Sequence, residues 1–260
     1  MSRALVSIVG CLCLWGVASA AVALDLGRLH LPPGFKVSLY AEQVPDARQM
    51  ALGSEGTLFI GTREAGRVYA AIDANHDRVA ERIGLIAEYL SMPSGVAFRD
   101  GALYVAAVDR VLRFPNIEAH LPMPPTPEQV VGGLPKDTHH GWKFIAFGPD
   151  GALYVPVGAP CNICAPKFPY ASILRITTYT GEVSAYARGV RNSVAFDWHP
   201  RTGEMWFAEH GRDMLGDDAP PDEINHVTRA GQHFGYPYVH GGEILDPEFG
   251  AGHTLDEFTP

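Results

Sequence analysis

Apolar residues in this chain fall in short runs, and nearly every run is closed by Gly, Pro, Asp or Asn. Four runs share one plan. Ser54-Glu55-Gly56-Thr57-Leu58-Phe59-Ile60, Arg99-Asp100-Gly101-Ala102-Leu103-Tyr104-Val105, Pro149-Asp150-Gly151-Ala152-Leu153-Tyr154-Val155 and Arg201-Thr202-Gly203-Glu204-Met205-Trp206-Phe207 each set a Gly-closed turn before a strand with an aromatic at its third position. Gly and Pro at such turns let the backbone reverse, so each run predicts a hairpin. A further apolar strand is predicted ahead of each turn, at Ala47 to Leu52, Gly95 to Phe98, Phe144 to Phe147 and Val194 to Trp198. Outer strands are predicted behind, at Arg67 to Ile72, Arg110 to Phe114, Ser172 to Thr177 and Glu223 to Val227. Helix-period segments are scarce; Arg78 to Tyr89 scans as a turn followed by the strand Ile83 to Tyr89.

The turn glycines stand at positions 56, 101, 151 and 203, a spacing of 45, 50 and 52 residues. Several short strands repeated at about this period read as a β-propeller. The expected class is therefore all-β, six-bladed in full length, with about four to five blades here and the fifth opening near Gly235-Tyr236-Pro237. No closing strand follows Thr259-Pro260, and an open propeller leaves sheet edges and an apolar face in water. The expectation is a partial, C-terminally truncated propeller over 24–260 that is poorly soluble or partly unfolded and inactive on its own.

The first residues change the picture of where the chain works. Arg3, the apolar run Ala4 to Val17 and the small-residue sites Ala18-Ser19-Ala20 and Ala21-Val22-Ala23 predict a signal peptide over 1–23, cleaved near Ala20 or Ala23. The run is short for a membrane span, so the mature protein is expected in the periplasm or secreted, with no integral membrane segment. Cys11 and Cys13 leave with the signal. Cys161 and Cys164 remain, and in an oxidising compartment they are expected to close as a disulfide pinning a loop. A haem attachment would need His after the second Cys, and a structural zinc site would need two more ligands. The formal net charge of −9 and the lack of a basic cluster exclude nucleic acid as a natural partner.

Candidate chemistry lies in three loops at equivalent places in successive blades. They are His139-His140 before one inner strand, Arg191-Asn192 before the next, and Glu209-His210-Gly211-Arg212 after the aromatic strand of that same blade. Loops on one propeller face converge on the axis, so these could share one pocket. A separate acidic turn, Asp73-Ala74-Asn75-His76-Asp77 with Glu81, spaces oxygens as a calcium loop does. It lacks the Gly and the distal carboxylate of such a loop and reads as an acidic turn.

Taken in order, His140 ahead of Asp150-Gly151, Arg191-Asn192, Glu209-His210-Gly211, Asp222-Glu223-Ile224-Asn225 and Gly231-Gln232-His233-Phe234-Gly235-Tyr236-Pro237 resemble the soluble quinoprotein glucose and sorbosone dehydrogenases. The resemblance begins near Leu31-Pro32-Pro33-Gly34-Phe35. The His-Gly-Trp-Lys loop and the Cys-x-x-Cys segment resemble the sorbosone branch. It implies pyrroloquinoline quinone (PQQ) and Ca2+ at the propeller axis, and PQQ-dependent oxidation of a small sugar or sugar aldehyde with electrons passed to a soluble acceptor. His140 then matches the general base, Arg191 the guanidinium beside the reactive carbonyl, and Asn192 and His210 further cofactor contacts. Gly211 and Arg212 match the residues whose main-chain carbonyls ligate calcium, with Arg where the best-known branch has Pro. Val194 replaces a polar residue of the glucose branch, so glucose is not the expected substrate. The cations that clamp the cofactor carboxylates are expected from later blades. Two other readings stay open from the residues themselves: a calcium-dependent propeller lactonase, and a non-enzymatic propeller binding carbohydrate or protein.

Overall fold

The computed structural model describes residues 24–259. The segment read as a signal peptide, 1–23, lies outside the described residues. The chain divides into two compact units after Leu39. In the first, a 3-10 turn at Leu26–Arg28 starts on Asp25, whose Oδ1 accepts from Gly27 N at 3.1 Å.

The second unit carries the propeller. Its first blade is β1 (Ala47–Leu52), β2 (Leu58–Thr62), β3 (Val68–Ile72) and β4 (Arg82–Ala87). The second is β5 (Gly95–Arg99), β6 (Ala102–Ala106), β7 (Arg110–Phe114) and β8 (Glu128–Gly132). The third is β9 (Ala146–Phe147), β10 (Leu153–Val157), β11 (Ser172–Thr177) and β12 (Glu182–Arg188). The fourth has three strands, β13 (Ser193–Trp198), β14 (Met205–Glu209) and β15 (Glu223–Val227). The chain then returns, and β16 (Gln232–His233) pairs parallel to β12. A small hairpin of β17 (Val239–His240) and β18 (Ile244–Leu245) stands where a fifth blade was expected to open. All other pairings are antiparallel. Among the described residues there is no α-helix, and none long and apolar enough to cross a membrane.

Central strands of the second and third blades are buried along their whole length. Side chains alternate between the two faces of a strand, and here both faces meet another blade. Leu103 and Val105 of β6 pack toward the first blade with Phe59 and Val96, whereas Tyr104 and Ala106 pack toward the third with Leu153 and Val155. In β10, Tyr154 turns the other way, into Phe196, Met205 and Phe207. This two-sided burial is why these strands read as unbroken apolar runs rather than as alternating ones.

The third-position aromatics are the joints between blades. Phe59 stacks on Phe98 of the next blade at 5.8 Å, Tyr104 meets Phe147 edge-on at 4.9 Å, and Tyr154 meets Trp198 at 5.2 Å. Offset and edge-on pairs of this kind add about 0.5–1.5 kcal/mol each beyond burial. Trp206, the fourth, stacks on His226 within its own blade at 4.2 Å and is 41% exposed.

One side chain substitutes for ladder pairing at the hub. Gln49 Nε2 donates to Ile145 O at 2.7 Å, and its Oε1 accepts from Val96 N and Ile145 N, both at 3.1 Å. It thereby joins three blades. This capture of Ile145 explains why the strand expected over Phe144 to Phe147 shortens to two residues.

Candidate active site

The three loops picked out in the sequence come together through Arg191, and two of them, those of His140 and Arg191, meet on a further segment. This is Gly158-Ala159, directly after β10. Ala159 N donates to Arg191 O at 2.7 Å, and Ala159 O accepts from His140 Nδ1 at 2.9 Å. A carbonyl can only accept, so His140 carries its proton on Nδ1 and leaves the lone pair on Nε2. His140 holds a left-handed backbone, φ 51°, and its ring lies 4.0 Å from that of His139. Gly158 makes this approach possible. A Cβ there would stand 2.5 Å from His140 Cβ, 2.8 Å from His140 O and 3.3 Å from Arg191 O. Gly158→Ala is therefore expected to force the two loops apart, costing about 1–3 kcal/mol of stability by overpacking. The misplacement should also cut turnover about 10²-fold. Thermal unfolding beside initial rates checks both; wild-type values would mean that the loops yield freely.

Burial holds the His140 pKa down to about 4, with the nearby charges of Arg191 and His139 acting in the same direction. His233, between β12 and the returning chain, is also pushed to about 4, by burial and by Arg188. Above the ordinary value of 6.5 neither folded nor unfolded chain protonates these rings. Between about 6.5 and about 4 only the unfolded chain binds the protons, so stability falls as pH is lowered through that window. Melting curves from about pH 7 to about pH 4 should show this decline. It should shrink when His233 is replaced by Gln. A flat curve over the window would contradict the two buried neutral rings.

Arg191 is almost wholly buried and its donors are largely committed. Nε donates to Asn162 O at 2.8 Å, Nη2 to Asn162 Oδ1 at 2.8 Å and Asp213 Oδ2 at 3.3 Å, and Nη1 to His210 O at 3.2 Å. Four of its roughly five N–H groups are thus used within the protein. Its main-chain N donates to Glu209 Oε1. Burial, then the charge of Glu223, raises the Glu209 pKa well above the carboxylate range. The other oxygen of Glu209 is buried with no hydrogen-bond partner. Asn192 is also buried, and among the described residues its side-chain amide is paired with no protein group. His210 is exposed; it joins the cluster through its main chain alone, N to Asn192 O at 3.3 Å and O to Arg191.

The turn after β14 is held from behind. Arg212 pairs through Nη1 with Asp246 and through Nη2 with Glu248 at 3.2 Å. Asp246 also accepts from His240 Nε2 at 2.9 Å. Burial alone would raise the Asp246 pKa, but His240, Arg212 and the amides of Glu248 and Phe249 hold it down to about 2. Gly211 N donates to Asp222 Oδ1 at 3.0 Å.

Matched against protein families, residues 29–241 fit the family described as TrAA12-like. This chain belongs to the TrAA12-like family. An uncharacterised protein of Borreliella burgdorferi is 33% identical over 238 residues, which covers 86% of this chain and 61% of that protein. The TrAA12-like chain thus spans about three fifths of that relative's length. Among solved structures, the calcium structure of the Trichoderma reesei carbohydrate-active enzyme of family AA12 superposes with a TM-score of 0.73. It is 17% identical, over 85% of this chain and 68% of that one. The holo PQQ domain of pyranose dehydrogenase from Coprinopsis cinerea gives a TM-score of 0.63 at 16% identity, over 82% and 57%. At these identities the likeness is one of fold.

The TrAA12-like chain has a pocket of about 480 Å³ where inner strands meet, lined by Arg48, Gln49, Ser94, Trp142, Lys143 and Val194; His140, Arg191, Gly211 and Arg212 do not line it. Two cations flank the Trp142 ring: the guanidinium carbons of Arg48 and Arg63 lie 5.6 and 5.9 Å from its centroid. The Nε of Arg63 is buried and has no hydrogen-bond partner. Lys143 is fully buried, donates to Gly141 O at 3.1 Å, and is pushed down to about 8 by burial. These cations stand on the first and third blades, apart from the later-blade cations that the resemblance implies. Arg63 follows β2 just as His210 follows β14, so position within the repeat was the signal that could have found it.

These groups fit an anionic quinone with calcium. Among the described residues the donor set offers an imidazole nitrogen at His140 and an amide at Asn192 with no protein hydrogen bond, and the Arg63 Nε, which makes no hydrogen bond and lies 3.9 Å from Glu64 Oε1. It also offers the Gly211 and Arg212 carbonyls, which accept no main-chain hydrogen bond from the described residues. A hard cation prefers such oxygens. In the acidic turn, Asp73, Asn75, Asp77 and Glu81 accept from the amides of Ala74, Asp77, Arg78 and Val79. One oxygen from each of Asp73, Asp77 and Glu81 lies within 4.8 Å of the others, so the turn stays open to either reading, as an acidic turn or as a calcium loop. Cys161 and Cys164 form the expected disulfide.

Proposed function

We propose that this chain carries much of the active site of a quinoprotein that oxidises a small sugar or sugar aldehyde, close to the sorbosone-type dehydrogenases. The observation that carries the reading is His140: its Nδ1–H is spent on Ala159 O, and burial keeps the ring neutral with Nε2 free. A neutral imidazole with one committed nitrogen is a base aimed by its own hydrogen bond. When bound, PQQ with calcium supplies the hydride acceptor, and a soluble acceptor later takes up the electrons. His140 Nε2 takes the hydroxyl proton of the substrate. Arg191 keeps fixed positive charge beside the reacting centre, where negative charge develops. Asn192 would donate a hydrogen bond to the cofactor, and the Gly211 and Arg212 carbonyls would hold the calcium. Arg48 and Arg63 would meet the cofactor's carboxylates. Val194 in the cavity wall disfavours a substrate that needs a polar contact there.

A lactonase would set carboxylate and amide side chains on its metal. Here Asp222 is bonded to Gly211 N and Asp213 to Arg191, which favours the quinone reading. The test is to add PQQ and calcium to the apoprotein, record the absorption spectrum, and follow dye reduction with aldoses and aldehydes. Cofactor-dependent reduction of the dye is expected from the full-length protein. Its absence with every aldose and aldehyde would remove the proposal.

A further inference from the structure

Two cysteines bracket Asn162, and that residue contacts the candidate site more fully than any other outside it. Its main-chain O accepts from Arg191 Nε and its side-chain Oδ1 from Arg191 Nη2, both at 2.8 Å. The same Oδ1 accepts from Asp213 N at 2.8 Å, and Nδ2 donates to Asp213 O at 3.1 Å. Every polar atom of the Asn162 side chain is thus used, and all of it ties the Arg191 loop to the turn after β14. The loop that presents Asn162 is closed by the Cys161–Cys164 disulfide. It rests on Tyr236, whose hydroxyl accepts from Cys164 N at 3.0 Å and lies 3.4 Å from Cys161 Sγ. Tyr236 itself is buried.

We infer that Asn162 is the positioning residue for Arg191, and that the disulfide exists to hold Asn162 in place. The guanidinium reaches its place through a long, flexible stem, and two oxygens at fixed spacing on one residue select a single orientation for it. The connection between β10 and β11, residues 158–171, is long for a link between neighbouring strands, and such a surface segment is mobile unless it is tied down. The chemical meaning of that orientation rests on the proposed role of Arg191 beside the reacting centre; the placement itself does not.

Asn162 lies on a surface loop, so Asn162→Ala should fold. The test reads the charge of Arg191 from its effect on His140, by following the His140 Cε1–H resonance against pH in the apoprotein. When Arg191 loses its orientation, its charge moves off His140, and the imidazole value should rise by about half a unit or more. The same substitution made in an Arg191→Met background should then give no rise, since the two act through one path. Cys161→Ser with Cys164→Ser keeps the Asn162 side chain but frees its loop, and should shift His140 in the same direction. In reconstituted enzyme, kcat should fall about tenfold with KM less affected. An unmoved His140 in Asn162→Ala, or an equal shift in both backgrounds, overturns the inference. The titration needs neither quinone nor turnover. A wild-type enzyme without dehydrogenase activity would sink the dehydrogenase reading and leave this result standing.

Discussion

His140→Ala should abolish turnover, by about 10²-fold or more, while binding of PQQ stays near the wild-type level. Among the described residues the imidazole's only protein hydrogen bond is through Nδ1 to Ala159, and the loop is also held by Gly141 N on Thr138 O at 3.0 Å. Loss of the ring therefore removes the base without unravelling the loop. On the proposed reading, an anionic cofactor beside His140 would raise its pKa from about 4, where burial holds it, toward neutrality. The acid limb of the pH–rate profile should accordingly lie above the apoprotein titration. Quinone titration by absorbance, run beside steady-state rates, separates binding from chemistry. Activity within a few-fold of wild type would give the base role to another group, with exposed His139 the first to test.

Asp246→Ala should produce the largest loss of stability. Asp246 is buried, and it alone neutralises the equally buried Arg212 from inside, while also accepting from His240 and two main-chain amides. Removing one partner of a buried pair leaves the other charged and desolvated, at a cost of about 3–5 kcal/mol. For a protein of this size that lowers Tm on the order of 10 °C. The turn holding the Gly211 and Arg212 carbonyls should loosen with it, so calcium should protect the variant against heat less than it protects the wild type. A melt within a degree or two of wild type would mean that Glu248 alone suffices for Arg212.

Much of this architecture could be read before any coordinates. Gly56, Gly101, Gly151 and Gly203 mark the hairpins because a reversal at a left-handed residue needs glycine; all four have φ between 71° and 89°. The strands they introduce fall where expected to within a residue or two. What escaped were features set by distant partners. Nothing local in Gln232-His233 announces a parallel pairing with β12, and Phe144-Ile145 reads as strand although Gln49 takes its main chain. The site divides in the same way. His140, Arg191 and the turn after β14 stood out as polar residues at strand ends. Gly158 and Asn162 carry no local mark of their roles, which come from His140 and Arg191 on other parts of the chain. Arg63 shares its place in the repeat with His210, whereas Arg48 is set apart only by lying against Trp142, a contact between different blades.

The aromatic joints bear on how such a chain can arise and lengthen. The second and third blades each contain both halves of a joint: a ring that reaches forward and an inner strand with a ring that receives the one before. Phe, Tyr and Tyr serve in turn as the reaching ring, so the joint asks for a flat apolar face and tolerates changes in which ring supplies it. A duplicated unit of this kind arrives able to dock on its own parent. Copies can then diverge in their loops, where the chemistry resides, without loss of the means of assembly.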